Sequence, residues 1–383
     1  MHPSSRALPR LRRYGGTRVP LPNALSTDNP ATQPGDRGDS PSPLAVPSRS
    51  QGRAGKLAGR LLKNLRKPGD RARRAYRRRR EPHGLILAYH RVATTGVDPW
   101  QICVSPEHFA QQLKALSEFA DVVPLPEFGE RLEDARSGRP VLAITFDDGY
   151  ADNLHAALPV LEHFAMPATI FLSTGWIDRT AGFWWDRLAG TVLEPATLPG
   201  SLEIESLDFR WTAGSGRRRD RDALHLALWE RLRNLEDDLR EDLLERLAEW
   251  ARHTAPAEAV ARPMTADEVG RLSASPLIEI GGHSLTHRAM SGLSLAAQMQ
   301  EIEQSGRDCE RLTGVRPRSF AYPFGDHGAE TSGLTRQAGY ARACTTRPDL
   351  VFRDTDPYRL PRVAVLDLDG TRFRRRLRRE WLP

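Results

Sequence analysis

The stretch Val141-Leu142-Ala143-Ile144-Thr145-Phe146-Asp147-Asp148-Gly149-Tyr150 decides the fold. Its first six residues, half of them β-branched and nearly all apolar, read as a buried strand, and Asp-Gly ends the run. Two adjacent carboxylates at the end of such a strand are hard to explain as packing, because burying charge is costly unless it is paired or coordinated. Adjacent residues leaving a strand point in different directions, so one Asp can bind a metal while its neighbour faces a substrate. An Asx-type turn with helix capping is the competing reading of the same residues.

Working outward, similar short apolar runs occur at Leu85–Ala88, Ala168–Leu172, Leu277–Gly281, Ser319–Tyr322 and Ala341–Cys344. Helical patterns separate most of them: His108–Phe119 after a Ser-Pro start, Ala151–Phe164 ending near Pro167, and Ala296–Leu312 ending at Gly314. Thr265 and Glu268 have capping-box spacing before another helix. Alternating strands and helices predict a parallel sheet covered by helices, and a β/α barrel is its natural closure, with functional residues at strand C-terminal ends.

Residues 176–262 interrupt the rhythm. Leu224, Leu228, Leu232, Leu235, Leu239, Leu243 and Leu247 recur by threes and fours, which predicts one long amphipathic helix within a helical insertion. Phe183, Trp184 and Trp185 open it, and two uses remain open for them: core, or a sugar-stacking rim.

A second motif, His283-Ser284-Leu285-Thr286-His287, follows another predicted strand. Two His four residues apart on a helical turn present their imidazoles to one point, and Asp148 stands at another strand end of the same sheet as a third ligand.

Together, Thr145-Phe146-Asp147-Asp148-Gly149-Tyr150 and His283-Ser284-Leu285-Thr286-His287 resemble the polysaccharide deacetylases, the NodB-homology or carbohydrate esterase family 4 enzymes. The similarity runs from about Leu85 to Val365, the insertion excepted. The resemblance implies a distorted (β/α)7 barrel of NodB type. It also implies Asp147 as general base, with Asp148, His283 and His287 holding one divalent ion: zinc is expected, cobalt or nickel being alternatives. The family's Arg-x-Pro-Tyr motif corresponds here to Ala321-Tyr322-Pro323-Phe324, which implies the Phe324 N–H as oxyanion donor and Tyr322 beside the substrate. Ala321 stands where the family has an Arg that orients the base, and Arg362 is the candidate replacement.

No His follows His327, although the family usually places its general acid in a C-terminal Leu-x-x-His motif. Leu87-Ala88-Tyr89-His90 has that pattern, as in the branch of the family that opens with a Tyr-His strand. This implies His90 as acid and Leu87 as a wall of the acetyl pocket. Asp326 and His327, just beyond the oxyanion turn, are weaker candidates for substrate contact.

Charge is divided unevenly. Residues 1–80 hold 20 of the 56 basic and 4 of the 49 acidic residues, a net of +16, and the remaining 303 residues carry 36 basic and 45 acidic, a net of −9. The high pI therefore belongs to a tail and does not indicate a DNA-binding body. Residues 1–80 are expected to be a disordered basic tail; over 55–80 the first reading is a solvated, partly helical linker, and an amphipathic helix on an anionic membrane surface is the alternative. Residues 81–370 form the expected deacetylase domain, and 371–383 a basic C-terminal tail. Cys103, Cys309 and Cys344, three in number and far apart in sequence, support neither a disulfide framework nor a thiolate zinc site. Lacking a secretory signal or a membrane-spanning run, the chain is expected in the cytoplasm, with a position peripheral to the inner membrane as a further option. The expected partner is an acetylated glycan, with no specific nucleic acid. The leading expectation is N-deacetylation of N-acetylhexosamine units. O-acetyl esterase activity and a non-catalytic, metal-bearing carbohydrate-binding protein are the alternatives.

Overall fold

Seven principal strands form a parallel sheet that curls on itself: β1 (His83–Tyr89), β2 (Val141–Phe146), β3 (Ala168–Leu172), β4 (Ile278–Gly282), β5 (Ser319–Ala321), β6 (Arg342–Cys344) and β7 (Val363–Ala364). The computed structural model describes residues 76–78, 80–134, 139–214, 218–253 and 261–382, all within the compact unit 51–383. Neighbours from β1 to β6 follow chain order, and β7 returns to pair with β1. The segment entering β7 also bonds β6, through Thr345 N–H to the Leu360 carbonyl (2.8 Å) and Leu360 N–H to the Ala343 carbonyl (2.9 Å). One segment thus bridges β6 and β1 and closes the curl. This is the expected NodB-type (β/α)7 architecture, with all seven strands ending on one face.

The two-residue period of strands decides what lies inside. Leu85, Leu87 and Tyr89 on β1, and Leu142, Ile144 and Phe146 on β2, point outward into one cluster with Phe109, Leu113 and Leu116. Ile86, Ala143, Phe171, Ala321 and Cys344 point inward. The small inward residues leave room, and the Arg362 guanidinium occupies it, 5.5 Å from the Phe171 ring. Gly281 on β4 allows this packing, since a Cβ there would lie 2.5 Å from the Phe171 ring.

Helices cover the outside: α1 (Pro106–Phe119), α2 (Leu158–Phe164), and, within the insertion, α3 (Trp184–Leu193), α4 (Arg218–Leu232) and α5 (Asp237–Ala251). After it come α6 (Ala266–Ser273), α7 (Leu295–Thr313), α8 (Ala329–Gln337) and α9 (Gly370–Glu380). Their boundaries follow their caps. Ser105 accepts from the His108 N–H ahead of Pro106, Thr265 and Glu268 make both bonds of a capping box, and Gly314 at φ 75° ends α7.

Three expectations need correction, and one open choice is decided. The expected helix Ala151–Phe164 opens with a π-helical turn, Asn153–Ala157, before α2. There Asp152 accepts from Arg91 Nε and the Val92 N–H, and Asn153 Nδ2 donates to the His90 carbonyl, tying the turn to the loop after β1. The single long helix of the insertion is two, α4 and α5. They break at 233–236, where Glu236 is extended and Asp237 and Asp238 favour a new N-terminus. Phe183 and Trp184 are 0% exposed and Trp185 is 5%, so they are core. They join Tyr150, Leu188 and the inward leucines of α4 and α5 in a cluster separate from the main core, which also takes in the antiparallel hairpin Ser201–Ile204/Phe209–Thr212. Residues 370–380 are a docked helix and not a tail: Phe373 and Leu377 are buried on the main core, and Arg374 Nη1 reaches Glu118 at 2.9 Å. Of the expected tail 1–80 and its helix 55–80, residues 1–75 and 79 lie outside the described residues; Tyr76–Arg78 and Arg80 are helical, and Arg77 pairs with Glu81 and Asp354.

Candidate metal centre and active site

The strands that end on the open face deliver three ligand-bearing side chains to one place. Asp148 leaves β2, and His283 and His287 leave β4; one ligand atom from each lies within 4.8 Å of the others. This is the only such group among the described residues. Asp148 Oδ1 lies 3.4 Å from His283 Nε2 and 3.2 Å from His287 Nε2, and it is buried without a hydrogen-bond partner. Buried polar atoms are seldom left so, and a carboxylate oxygen facing two imidazole nitrogens is the donor set of a divalent cation. The residues therefore fit a metal ion. His283 Nδ1–H donates to the Ala321 carbonyl at 2.7 Å, which fixes the tautomer and leaves Nε2 free to ligate.

The local backbone is shaped for this. Asp148 (φ 76°), Ser284 (64°), His287 (58°) and Phe324 (58°) all take left-handed conformations that L-residues rarely adopt. Gly149, at φ 85°, lets the chain turn against Leu172, whose side chain would lie 2.8 Å from a Cβ. Glu301 of α7 clamps the histidine loop, accepting from the Leu285 N–H (2.9 Å), the Thr286 N–H (2.8 Å) and Thr286 Oγ1 (2.6 Å). The Ser284 hydroxyl accepts from the His287 N–H at 2.9 Å.

Asp147 points inward, by the same alternation that buries Thr145. Arg362 meets it as a fork from inside the barrel, Nη1 to Oδ1 at 2.6 Å and Nη2 to Oδ2 at 2.7 Å. The guanidinium is itself held by the Thr345 carbonyl (3.0 Å) and Thr145 Oγ1 (3.1 Å). Burial opposes ionisation of Asp147, but Arg362, with His283 and His90 nearby, outweighs it and holds the carboxyl below its ordinary range. Burial likewise opposes ionisation of Asp148, and the two imidazoles reverse it. His287 is lowered by burial, toward the neutral form a ligand requires. His283 feels the same burial, yet Asp147 and Asp148 raise it. His90, one-quarter exposed, places Nε2 3.9 Å from Asp147 Oδ2.

The remaining candidates are placed less favourably. Leu87 is an outward residue of β1, 0% exposed in the main core, so it lines no acetyl pocket. Tyr322 continues the outward set of β5 with Phe320, and its hydroxyl donates to the Tyr358 carbonyl at 3.1 Å, so its ring is core. Asp326 accepts from the N–H and hydroxyl of Ser291, and His327 stacks on Tyr322 with ring centroids 4.7 Å apart. Phe324 does face the site, its ring centroid 4.6 Å from that of His287. Sequence reasoning passed over Glu301, although a carboxylate one residue before Ile302 on the buried side of α7 was a signal. It also passed over Trp229 and Arg233, which the leucine stripe concealed.

The family model for polysaccharide deacetylase matches residues 134–343, more than half of the chain. The chain belongs to the polysaccharide deacetylase family. A relative from Bacillus subtilis (strain 168), YxkH, carries a polysaccharide deacetylase name and is 22% identical over 282 residues, 73% of this chain and 70% of that protein. The polysaccharide deacetylase BC0361 of Bacillus cereus shares the fold at a TM-score of 0.50 and 16% identity, over 76% of this chain and 68% of that one. IcaB of Ammonifex degensii superposes with a TM-score of 0.47 and 19% identity, over 74% of this chain and 92% of that one. Like its family, this deacetylase is a hydrolase. Among its described residues no helix is long and apolar enough to cross a membrane, and all three cysteines are buried and free.

Proposed function

We propose that the chain is a metal-dependent deacetylase that removes acetyl groups from N-acetylhexosamine units of a bacterial polysaccharide or its precursor. The observation that carries the reading is the fork from Arg362 to Asp147, immediately beside the Asp148–His283–His287 group. A structural ion pair alone would not need an orphaned carboxylate oxygen and two imidazoles next to it. Asp148, His283 and His287 would hold the cation, with zinc the expected ion. Bound there, it supplies Lewis acidity, polarising an acyl oxygen and acidifying a nearby water. Asp147, kept ionised by Arg362, takes a proton from the attacking water as its oxygen bonds the acetyl carbon. The Phe324 N–H donates to the developing oxyanion. His90 gives a proton to the departing nitrogen as the C–N bond breaks, leaving acetate and a free amine.

The test is acetate release from matched N- and O-acetylated glycans, with and without chelator. Release from the N-acetylated set that chelation abolishes and added zinc restores supports the reading. Release confined to O-acetylated glycans moves the chain to the esterases, and release that persists in excess chelator removes the metal.

A further inference from the structure

Among the described residues, one arginine beside this site has no carboxylate partner. The turn between α4 and α5 brings Trp229 and Arg233 of the insertion to the mouth of the metal centre. The Trp229 ring stands edge-on to Phe324 at 5.4 Å, and Phe324 stands edge-on to His287 at 4.6 Å. Trp100, from the loop after β1, closes the far side, 4.6 Å from Trp229. All three rings on this wall are half-buried, unlike the opening aromatics of the insertion, which are core.

The Arg233 guanidinium lies 5.0 Å from the Trp229 ring and 5.9 Å from the Phe324 ring. Among the described residues it makes no ion pair, and its Nε is buried without an acceptor. Other arginines near this turn do have carboxylate partners: Arg179 and Arg240 share Asp237, and Arg288, next to His287, pairs with Glu236. A guanidinium lying on aromatic faces has shed water and retains its donors for a planar anion. A sugar face suits the adjoining rings, and an anion suits the cation above them.

We propose that the insertion forms a subsite for a negatively charged sugar next to the reacting N-acetylhexosamine, with Arg233 binding its carboxylate or phosphate and Trp229 and Trp100 stacking on the glycan. This rests on the deacetylase reading of the same site and adds the charge of the substrate to it. Glycan preference is then set by the insertion, while the barrel supplies the chemistry.

The experiment measures binding by tryptophan fluorescence on turnover-deficient Asp147→Asn protein, alongside acetate release by the unmodified chain. Three probes are compared: a neutral N-acetylglucosamine tetramer, a tetrasaccharide alternating N-acetylglucosamine with glucuronate, and the neutral tetramer carrying a phosphate. At least one anionic probe should bind about tenfold or more tightly than the neutral one, as a charge-assisted pair implies. The glucuronate and phosphate arms identify which anion is read. In Arg233→Met the anionic-to-neutral ratio should collapse to about one, and Arg233→Lys should restore part of it, because the charge survives without the fork. Added salt should reduce the ratio in the parent and leave it unchanged in Arg233→Met. Equal affinity for all three probes overturns the subsite even if acetate is released. A preference for an anion without acetate release from any N-acetylated glycan leaves the subsite standing and removes the deacetylase reading.

Discussion

Arg362→Met tests whether the guanidinium inside the barrel is what makes Asp147 a base. The substitution keeps an unbranched apolar stem in the space that small inward residues leave, and deletes both bonds of the fork, 2.6 and 2.7 Å long. Asp147 is 2% exposed, so little solvent can replace them. Breaking a buried, hydrogen-bonded ion pair from one side costs about 3–5 kcal/mol, because the other charge is stranded. The sign follows from the two opposed causes. With Arg362 present, the depressed Asp147 contributes stability above the ordinary carboxylate range that is lost only as pH falls through its lower folded value. With Arg362 gone, burial dominates and the carboxyl protonates at higher pH. Chemical denaturation at neutral pH should register the loss, and kcat/KM for acetate release should fall about 10²–10⁴-fold, the worth of a general base. The acid limb of the pH–rate profile should also move upward, so that activity partly recovers in alkaline buffer. Arg362→Lys should fall between, keeping charge without the fork. An unshifted limb in a folded, metal-loaded Arg362→Met protein would refute the reasoning.

Four further substitutions separate the roles. His283→Ala should lose metal by elemental analysis whereas Asp147→Asn keeps it and loses turnover; equal metal content in the two would show that the ligands are misassigned. His90→Ala should slow amide substrates about 10²-fold or more while sparing an activated ester, whose leaving group needs no proton; equal losses on both would remove His90 as the acid. Asp186 accepts from the Tyr150 hydroxyl at 2.7 Å, and burial pushes its carboxyl up to about 7. The unfolded chain then ionises before the folded one, so this group lowers stability progressively from about pH 4 to pH 7, by up to ~4 kcal/mol. Asp186→Asn should therefore raise Tm more at pH 8 than at pH 4, and a uniform change across that range would show that Asp186 does not titrate this way.

What the sequence disclosed divides along physical lines. Strand runs such as Val141–Phe146 were legible to the residue because parallel strands are buried on both faces and need continuous apolar character. The Asp148–His283–His287 group and Asp147 were legible as candidates because ionisable groups at strand ends are rare without a purpose. Arg362 could be named only as a replacement for the orienting Arg, in whose place Ala321 stands; its route through the barrel interior depends on small inward residues from several strands, Ala143, Gly281, Ala321 and Cys344. Leu87 and Tyr322 failed for a simpler reason: each lies on the outward phase of its strand, and motif resemblance does not carry that phase. The break between α4 and α5 was hidden because a leucine period continues across a turn when both helices pack on one cluster. Arg233, unpaired among the described residues, left no local signal at all, since pairing depends on carboxylates distant in sequence.

The ligand geometry also has a thermodynamic consequence. Asp148, Ser284, His287 and Phe324 are held in left-handed conformations, each costing on the order of 1 kcal/mol, and Asp148 Oδ1 and His287 Nδ1 are buried without hydrogen bonds. The Glu301 clamp and the Ser284 hydroxyl offset part of this, but both act on the histidine loop and neither reaches Asp148. The metal-free site is therefore strained, and a cation that binds only the folded chain adds stability as RT ln(1 + [M]/Kd), ~4 kcal/mol at a thousandfold excess over Kd. Chelation should lower Tm by several degrees and excess zinc should restore it, while His283→Ala melts at one temperature under both conditions. Glu301→Gln, which keeps shape and removes charge from the clamp, should weaken zinc affinity about 10-fold without abolishing it, as loss of a supporting bond to a ligand loop does. A Tm unmoved by chelator in protein shown to have lost its metal would mean that the strain is compensated within the chain, and that the Asp148–His283–His287 group is not organised around a cation.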